Sequence, residues 1–189
     1  MNTIVRVATE KDWDAIAQLN HNVYALELGQ HAPNQQGRKT DRLHDTNLYL
    51  VAYVEEELVG MLSITLPSRA PFSTLKRVTA VSEDILMHLS STAEIRLLAV
   101  KPAYRGQGLF DALISAAIKT CYQHAIDRVL ISAIEDRVPL YEYMGFQAIA
   151  DPVMEGKASY YPMMITRQLL ESSPYQQKLA QLQRYRELA

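Results

Sequence analysis

Apolar and polar positions follow two rhythms along this chain, and the changes of rhythm mark its elements. Ile4 to Ala8 alternates as a short strand does, and Thr9 followed by Asp12 reads as a capping box opening a helix through Trp13, Ile16, Val23 and Tyr24. Leu48 to Val54 and Leu58 to Leu66 are apolar runs rich in β-branched and aromatic residues, joined by Glu55 to Glu57. They predict an antiparallel hairpin buried on both faces. Ala93 to Val100 reads as a further strand. After a turn over Pro102 to Gly108, Leu109, Leu113, Ala116, Ala117 and Thr120 form one stripe of a helix that runs to Gln123. Asp127 to Ile134 predicts a strand, Arg137 to Met144 a short helix ended by Gly145, and Phe146 to Ala150 and Tyr160 to Arg167 two more strands. Ser173 with Pro174 opens a terminal helix bearing Tyr175, Leu179, Leu182 and Tyr185.

Two stretches escape both rhythms. Gly29 to Asp45 is polar, rich in turn formers and too long for an ordinary connection, so it is either functional or mobile. Pro67 to Ser91 carries a single helical signal, Ser82 with Asp84 through Leu89.

A length of 189 residues with 48% hydrophobic content suits one core. We therefore expect a single domain over 1–170 and a C-terminal helix over 171–189, packed on that domain or on a partner subunit, which leaves a homodimer open. The net charge of −2 comes from 19 basic and 21 acidic residues mixed along the chain. That mixture gives nucleic acid or an anionic membrane nothing to hold. The lone cysteine, Cys121, excludes an internal disulfide, speaks against structural zinc and fits a reducing, cytoplasmic compartment. The first eight residues are too polar for a signal peptide and no apolar run is long enough for a membrane span, so a soluble protein is expected.

The one local anion site that composition leaves room for is Arg105-Gly106-Gln107-Gly108, placed between an apolar strand and a helix. Successive backbone N–H groups there can converge on a pyrophosphate, helped by the helix N-terminus and the Arg105 guanidinium. A nucleotide P-loop is excluded, because Leu109-Phe110 stands where Lys-Ser/Thr is required. The dinucleotide fingerprint fails for want of a third glycine.

Glu94 to Leu109 resembles the signature of the GNAT acyltransferase superfamily: a strand ending in Val-x-Pro, here Val100 to Pro102, then Tyr-Arg-Gly-x-Gly, here Tyr104 to Gly108. A downstream Leu-Tyr-x-x-x-Gly-Phe element follows at Leu140 to Phe146. The resemblance implies an α/β (α+β) fold with a mixed, V-splayed sheet of six to seven strands flanked by helices. It implies acetyl-CoA or another acyl-CoA as co-substrate and no metal. Its pantetheine would pair along Leu98, Ala99 and Val100, and its pyrophosphate would sit at Arg105, Gly106, Gln107, Gly108, Leu109 and Phe110. Three features depart from the pattern: Phe110 is bulky where a small residue is usual, the customary Asn is replaced in the neighbourhood of Ile134, Glu135 and Asp136, and Pro139 lies inside the short helix.

The N-terminal half is similar to a narrower branch, the N-acyl amino acid synthases and acyl-homoserine-lactone synthases. The cues are Val23-Tyr24-x-x-Glu27-x-Gly29, Asp41 with Asp45, Tyr49 to Ala52, and Gly60 through Pro67 with Phe72. The lactone synthases read Glu-x-Ser-Arg where this chain has Glu94-Ile95-Arg96-Leu97. This branch implies a long-chain donor, on CoA or on an acyl-carrier protein.

Acyl transfer to an amine needs a neutral amine, a stabilised oxyanion and a protonated leaving thiolate. Strict alternation puts Glu94 on one face with Arg96, Leu98 and Val100, suited to act as a base through water or merely to pair with Arg96. Tyr141 resembles the family's general acid, with Tyr143 as fallback. Giving a phenol proton to a thiolate is uphill by roughly 2 kcal/mol. The oxyanion falls to a backbone N–H within Leu98 to Val100. Tyr24, Glu27, Arg38 and Asp41 are candidates for holding the acceptor, Arg38 for its carboxylate. The leading reading is an N-acyltransferase moving an acyl group, acetyl by default, to a primary amine of a small molecule. The alternatives are a long-chain N-acyl amino acid or autoinducer-type synthase and a catalytically degenerate acyl-CoA-binding module.

Overall fold

The computed structural model describes residues 3–67, 72–155 and 158–188. In chain order the elements are β1 (Thr3–Val7), α1 (Trp13–Asn20), β2 (Leu48–Val54), β3 (Glu57–Thr65), α2 (Glu83–Met87), β4 (Thr92–Val100), α3 (Leu109–Gln123), β5 (Arg128–Ile134), α4 (Val138–Met144), β6 (Gln147–Ala148), β7 (Val153–Glu155), β8 (Ala158–Thr166), α5 (Arg167–Ser172) and α6 (Pro174–Leu188). The strands follow the order β1-β2-β3-β4-β5-β8-β6, with β7 beside β8. The fold is mixed α/β, an open sheet with flanking helices, with eight strands among the described residues where six to seven are expected. The unexpected strand is the three-residue β7. The chain divides into two compact units, residues 1–69 with 95–120 and residues 70–94 with 121–189, so that β4 and α3 each contribute to both.

In the first unit the expected hairpin forms from Leu48↔Ile64 to Val54↔Glu57, its register shifting by one residue between Ala52 and Tyr53, and Glu55 makes its turn at a φ of 55°. Gly60 lies inside β3 because there is no room for more: a Cβ there would meet Leu113 Cδ1 at 3.1 Å and the Ala99 carbonyl at 3.3 Å. Asp12 fixes the start of α1. Its carboxylate accepts from the Thr9 N–H (2.6 Å), from both ends of the Arg6 guanidinium (2.7 and 2.8 Å) and from the Tyr53 hydroxyl (2.7 Å). These donors, Arg6 foremost, hold the Asp12 carboxyl well below the usual carboxylate range.

The single helix expected through Tyr24 becomes α-helical only to Asn20 and continues as a π-helix over His21–Glu27. Such a segment is rare and is found frequently at functional sites. The Gly29 to Asp45 loop is tied down rather than loose. The Lys39 N–H donates to the Ala17 carbonyl, the Asn20 amide to the Lys39 carbonyl, and the His44 ring packs edge-on against Trp13.

In the second unit, β4 contributes Thr92, Ala93 and Glu94 to a parallel ladder with Arg128, Val129 and Leu130 of β5. The antiparallel ladder from β5 to β8 is longer, from Arg128↔Thr166 to Ile134↔Tyr160. α2 forms where Ser82 signalled it, with the Ser82 hydroxyl accepting from the Ile85 N–H. Pro139 does not break α4, because the helix begins at Val138 and the proline occupies its first turn, where no intrahelical N–H is needed. Gly145 ends α4 at a φ of 102°. α5 was not expected: Thr166, read as a strand residue, caps it by accepting from the Leu169 N–H. Ser173 caps α6 at the Gln176 N–H, and Tyr175 and Leu179 are buried in this unit. The side chains of Leu182 and Tyr185, which the sequence puts on the same stripe, lie outside the described residues. Cys121 is buried, and desolvation pushes its thiol up to about 11.

Candidate active site

The second unit contains Glu94, which is 1% exposed. Its carboxylate accepts from the Ser73 N–H (2.8 Å) and the Thr74 N–H (2.6 Å). It accepts also from the Ser73 hydroxyl (2.9 Å to each oxygen) and the Thr74 hydroxyl (2.6 Å). Thr74 Oγ1 lies a further 2.9 Å from the Ser132 hydroxyl on β5. Burial falls off along this line, from Glu94 and the fully buried Thr74 to a Ser132 that is only partly buried. The Arg96 pairing considered for Glu94 is not what forms.

Tyr141 stands on α4, its ring edge-on to Phe146 at 5.6 Å. Burial pushes its hydroxyl above the ordinary tyrosine value, with Arg137 opposing the shift. The phenol therefore keeps its proton at neutral pH, and giving that proton to a thiolate becomes more uphill than for an ordinary tyrosine. Tyr143, the fallback, is 45% exposed and meets the Tyr175 ring.

In the first unit, Leu97 has a φ of 52°, a left-handed conformation rare for a residue with a Cβ. This corrects the strict alternation read along β4. Leu97 and Ala99 both pack with the cluster that holds Tyr49, Val51 and Met61, while Arg96 reaches Asp41 beside Tyr49. A left-handed residue inside a strand interrupts the regular pleat, so strict alternation no longer follows past Arg96. The Leu98 carbonyl accepts from the Tyr24 hydroxyl at 3.0 Å, which sets the π-helix against this part of β4. Arg96 and Asp41 pair through two contacts of 3.2 Å, with only 16% and 7% of their side chains exposed. Desolvation, reinforced by Asp41, raises the Tyr49 hydroxyl far above its ordinary value.

The glycine turn is formed as its sequence implies, with Gly106 and Gly108 at φ of 75° and 79°. Open space surrounds both positions, so glycine is required for the backbone angle rather than for room. The Gly108 carbonyl accepts from the Ala112 N–H, which starts α3 on the turn. Leu109 is buried and Phe110 partly so. Arg105 spends three of its N–H donors inside the protein: two on Glu27 (2.6 and 2.7 Å) and Nε on the Val100 carbonyl (3.0 Å). Gln107 bonds back to the Ala103 carbonyl. Arg38 pairs with Asp14 on the surface, where both side chains are about half exposed.

Ser73, Thr74 and Ser132 were not found from sequence. Ser73 and Thr74 lie in the stretch with no periodic signal and meet Glu94 some twenty residues on, which only the fold reveals. Ser132 did carry a signal, a lone hydroxyl within the apolar run from Val129 to Ile134. Among the described residues no group of three His, Cys, Asp or Glu is placed to hold a metal ion.

Residues 15–167 match the family described as N-acyl amino acid synthase FeeM. The chain belongs to that family. As a FeeM-family protein it is an N-acyltransferase, and the solved structures it resembles share the GNAT acyltransferase fold. BjaI, a CoA-dependent acyl-homoserine lactone synthase solved with SAM and isopentyl-CoA, superposes with a TM-score of 0.73 at 17% identity, over 95% of this chain and 90% of BjaI. FeeM itself, an N-acyl amino acid synthase from uncultured soil microbes, gives 0.71 at 15% identity, over 91% and 94%. An acyl-CoA N-acyltransferase from Pseudomonas aeruginosa gives 0.65 at 20% identity, over 87% and 99%. No helix among the described residues is long and apolar enough to cross a membrane.

Proposed function

We propose that this FeeM-family enzyme transfers a medium- or long-chain acyl group from a thioester to the amino nitrogen of an amino acid, giving an N-acyl amino acid. The match of residues 15–167 to the N-acyl amino acid synthases carries this reading. It favours the long-chain alternative over the acetyl transfer taken as default from sequence. Acyl-CoA is the donor assigned here, with an acyl-carrier protein as the other carrier to test. The pyrophosphate of CoA would take the N–H groups from Gly106 to Phe110 and the two Arg105 donors not spent on Glu27 and Val100. The backbone of Leu98 to Val100 would hold the pantetheine and the oxyanion. Glu94 acts as general base and Tyr141 as donor to the leaving sulfur. The acceptor-holding role stays with the Tyr24 and Glu27 side of the first unit, Asp41 being held by Arg96. Arg38 would have to leave Asp14 to join it.

The test is a donor and acceptor screen. Acetyl-, octanoyl- and palmitoyl-CoA are each supplied with an equimolar mixture of the twenty amino acids, or with SAM, and the products are identified by mass. Octanoyl- or palmitoyl-CoA should give an N-acyl amino acid faster than acetyl-CoA gives its acetyl counterpart. Acetyl transfer as fast as the longer donors, or an acyl-homoserine lactone from SAM as the only product, would overturn the proposal.

A further inference from the structure

Glu94 is too deeply placed to meet a substrate itself, since it is 1% exposed and the Ser73 and Thr74 N–H and hydroxyl groups crowd its two oxygens. What it can do is fix the direction of the hydroxyls around it. A carboxylate only accepts, so the Thr74 hydroxyl at 2.6 Å donates to Glu94. Thr74 Oγ1 then has only lone pairs to turn toward Ser132, 2.9 Å away, and the Ser132 hydroxyl must donate to it. With its proton committed inward, the partly buried Ser132 Oγ presents its own lone pairs outward. The end of the network is therefore a hydrogen-bond acceptor in which each donor is polarised by the next.

We propose that Ser132 is the group that touches the attacking amine, and that Ser132, Thr74 and Glu94 form one proton relay. This rests on the acyltransferase reading above. As the amine nitrogen forms its bond to the thioester carbon, one N–H bond breaks and its proton passes to Ser132 Oγ. The proton of Ser132 passes to Thr74 Oγ1, and that of Thr74 to Glu94 Oε1. The C–S bond breaks with its electron pair on sulfur, and the thiolate takes a proton from Tyr141. Glu94 then returns its proton outward along the same chain to water, from which Tyr141 is reprotonated. At the Glu94 end of the relay a neutral acid replaces an anion, so no new ion is created there. Ser132 is in this scheme a catalytic residue, and Thr74 a relay that acts through it. Both rest on side chains in one compact unit.

The experiment compares the wild type with Ser132→Ala, Ser132→Thr, Thr74→Val and Thr74→Ser, using octanoyl-CoA and the amino acid mixture. CoA release, octanoyl-CoA binding, Tm and the solvent isotope effect on kcat are measured. Ser132→Ala and Thr74→Val should each lower kcat on the order of 10²-fold while octanoyl-CoA binding stays unchanged. Ser132→Thr and Thr74→Ser, which keep a hydroxyl, should restore most of the rate, and the solvent isotope effect should shrink in the two variants without one. Glu94→Gln/Ser132→Ala should be no slower than Glu94→Gln, since members of one unit do not add. Should Thr74→Val unfold, Thr74→Ser and Ser132→Ala carry the test, Ser132 being partly exposed. Turnover by Ser132→Ala within roughly threefold of wild type, or an unchanged isotope effect, would overturn the relay and leave the acyltransferase reading standing. No CoA release by the wild type from any of the three thioesters would sink that reading and the relay with it.

Discussion

Asp41 and Glu94 are two shielded carboxylates held in opposite ways. Asp41, in the first unit, is neutralised by the Arg96 guanidinium. Glu94, in the second, is met by two backbone N–H groups and two hydroxyls. The difference is chemical before it is energetic. Arginine holds its protons at any pH a protein meets, so it has none to pass to the carboxylate it pairs with. A hydroxyl can pass its proton on and take another, so a carboxylate held by hydroxyls stays connected to what lies beyond them. A network that must work and a contact that must merely hold are thus distinguishable by donor type.

The sharpest way to break this comparison is to replace each carboxylate by its amide. Glu94→Gln keeps the volume but points an NH₂ at groups that already donate. Its turnover should fall on the order of 10³-fold, measured as CoA release. Asp41→Asn should leave turnover far less affected and instead cost roughly 3 kcal/mol of stability in a urea titration, because Arg96 stays buried without its counter-charge. Adding Arg96→Met should recover part of that loss, and recovery of turnover alone would contradict the structural role given to the pair. Asp12 sharpens the comparison by pH. Its carboxyl is depressed from an ordinary 3.8, chiefly by Arg6, so its stabilising contribution is complete above that value. It should fade as pH drops below about 4 toward the depressed native range. The gap in Tm between wild type and Asp12→Asn should therefore be widest near neutrality and narrow steadily as the pH falls below about 4. The smallest effect belongs to Tyr24→Phe, which removes one hydrogen bond to the Leu98 carbonyl and should cost about 1 kcal/mol, read by the same titration.

How much of this was legible in the sequence divides along physical lines. The hairpin from Leu48 to Thr65, the helix from Leu109 to Gln123 and the glycine turn before it were readable, because each is specified by residues a few positions apart. Gly106 and Gly108 announce their left-handed backbone by being glycine. Leu97 takes a comparable conformation with no such sign, in a strand where alternation would put extended backbone. The π-helix at His21–Glu27 has the same apolar spacing as an α-helix to within one residue. Thr166 as a helix cap was hidden by the apolar run before it. The partners of Glu94 were the hardest to see, since Ser73 and Thr74 become meaningful only when a distant segment folds against β4.

The buried Cys121 has a practical consequence for measuring CoA release. It is the only cysteine in the chain, and a thiol pushed up to about 11 is about one part in a thousand thiolate at pH 8. A chromogenic disulfide or maleimide dye added to the reaction has nothing on the folded enzyme to consume it. Its signal should therefore count the CoA released directly, turn by turn, without masking mutations or a blocked protein. The same dye becomes a reporter of unfolding the moment Cys121 is exposed.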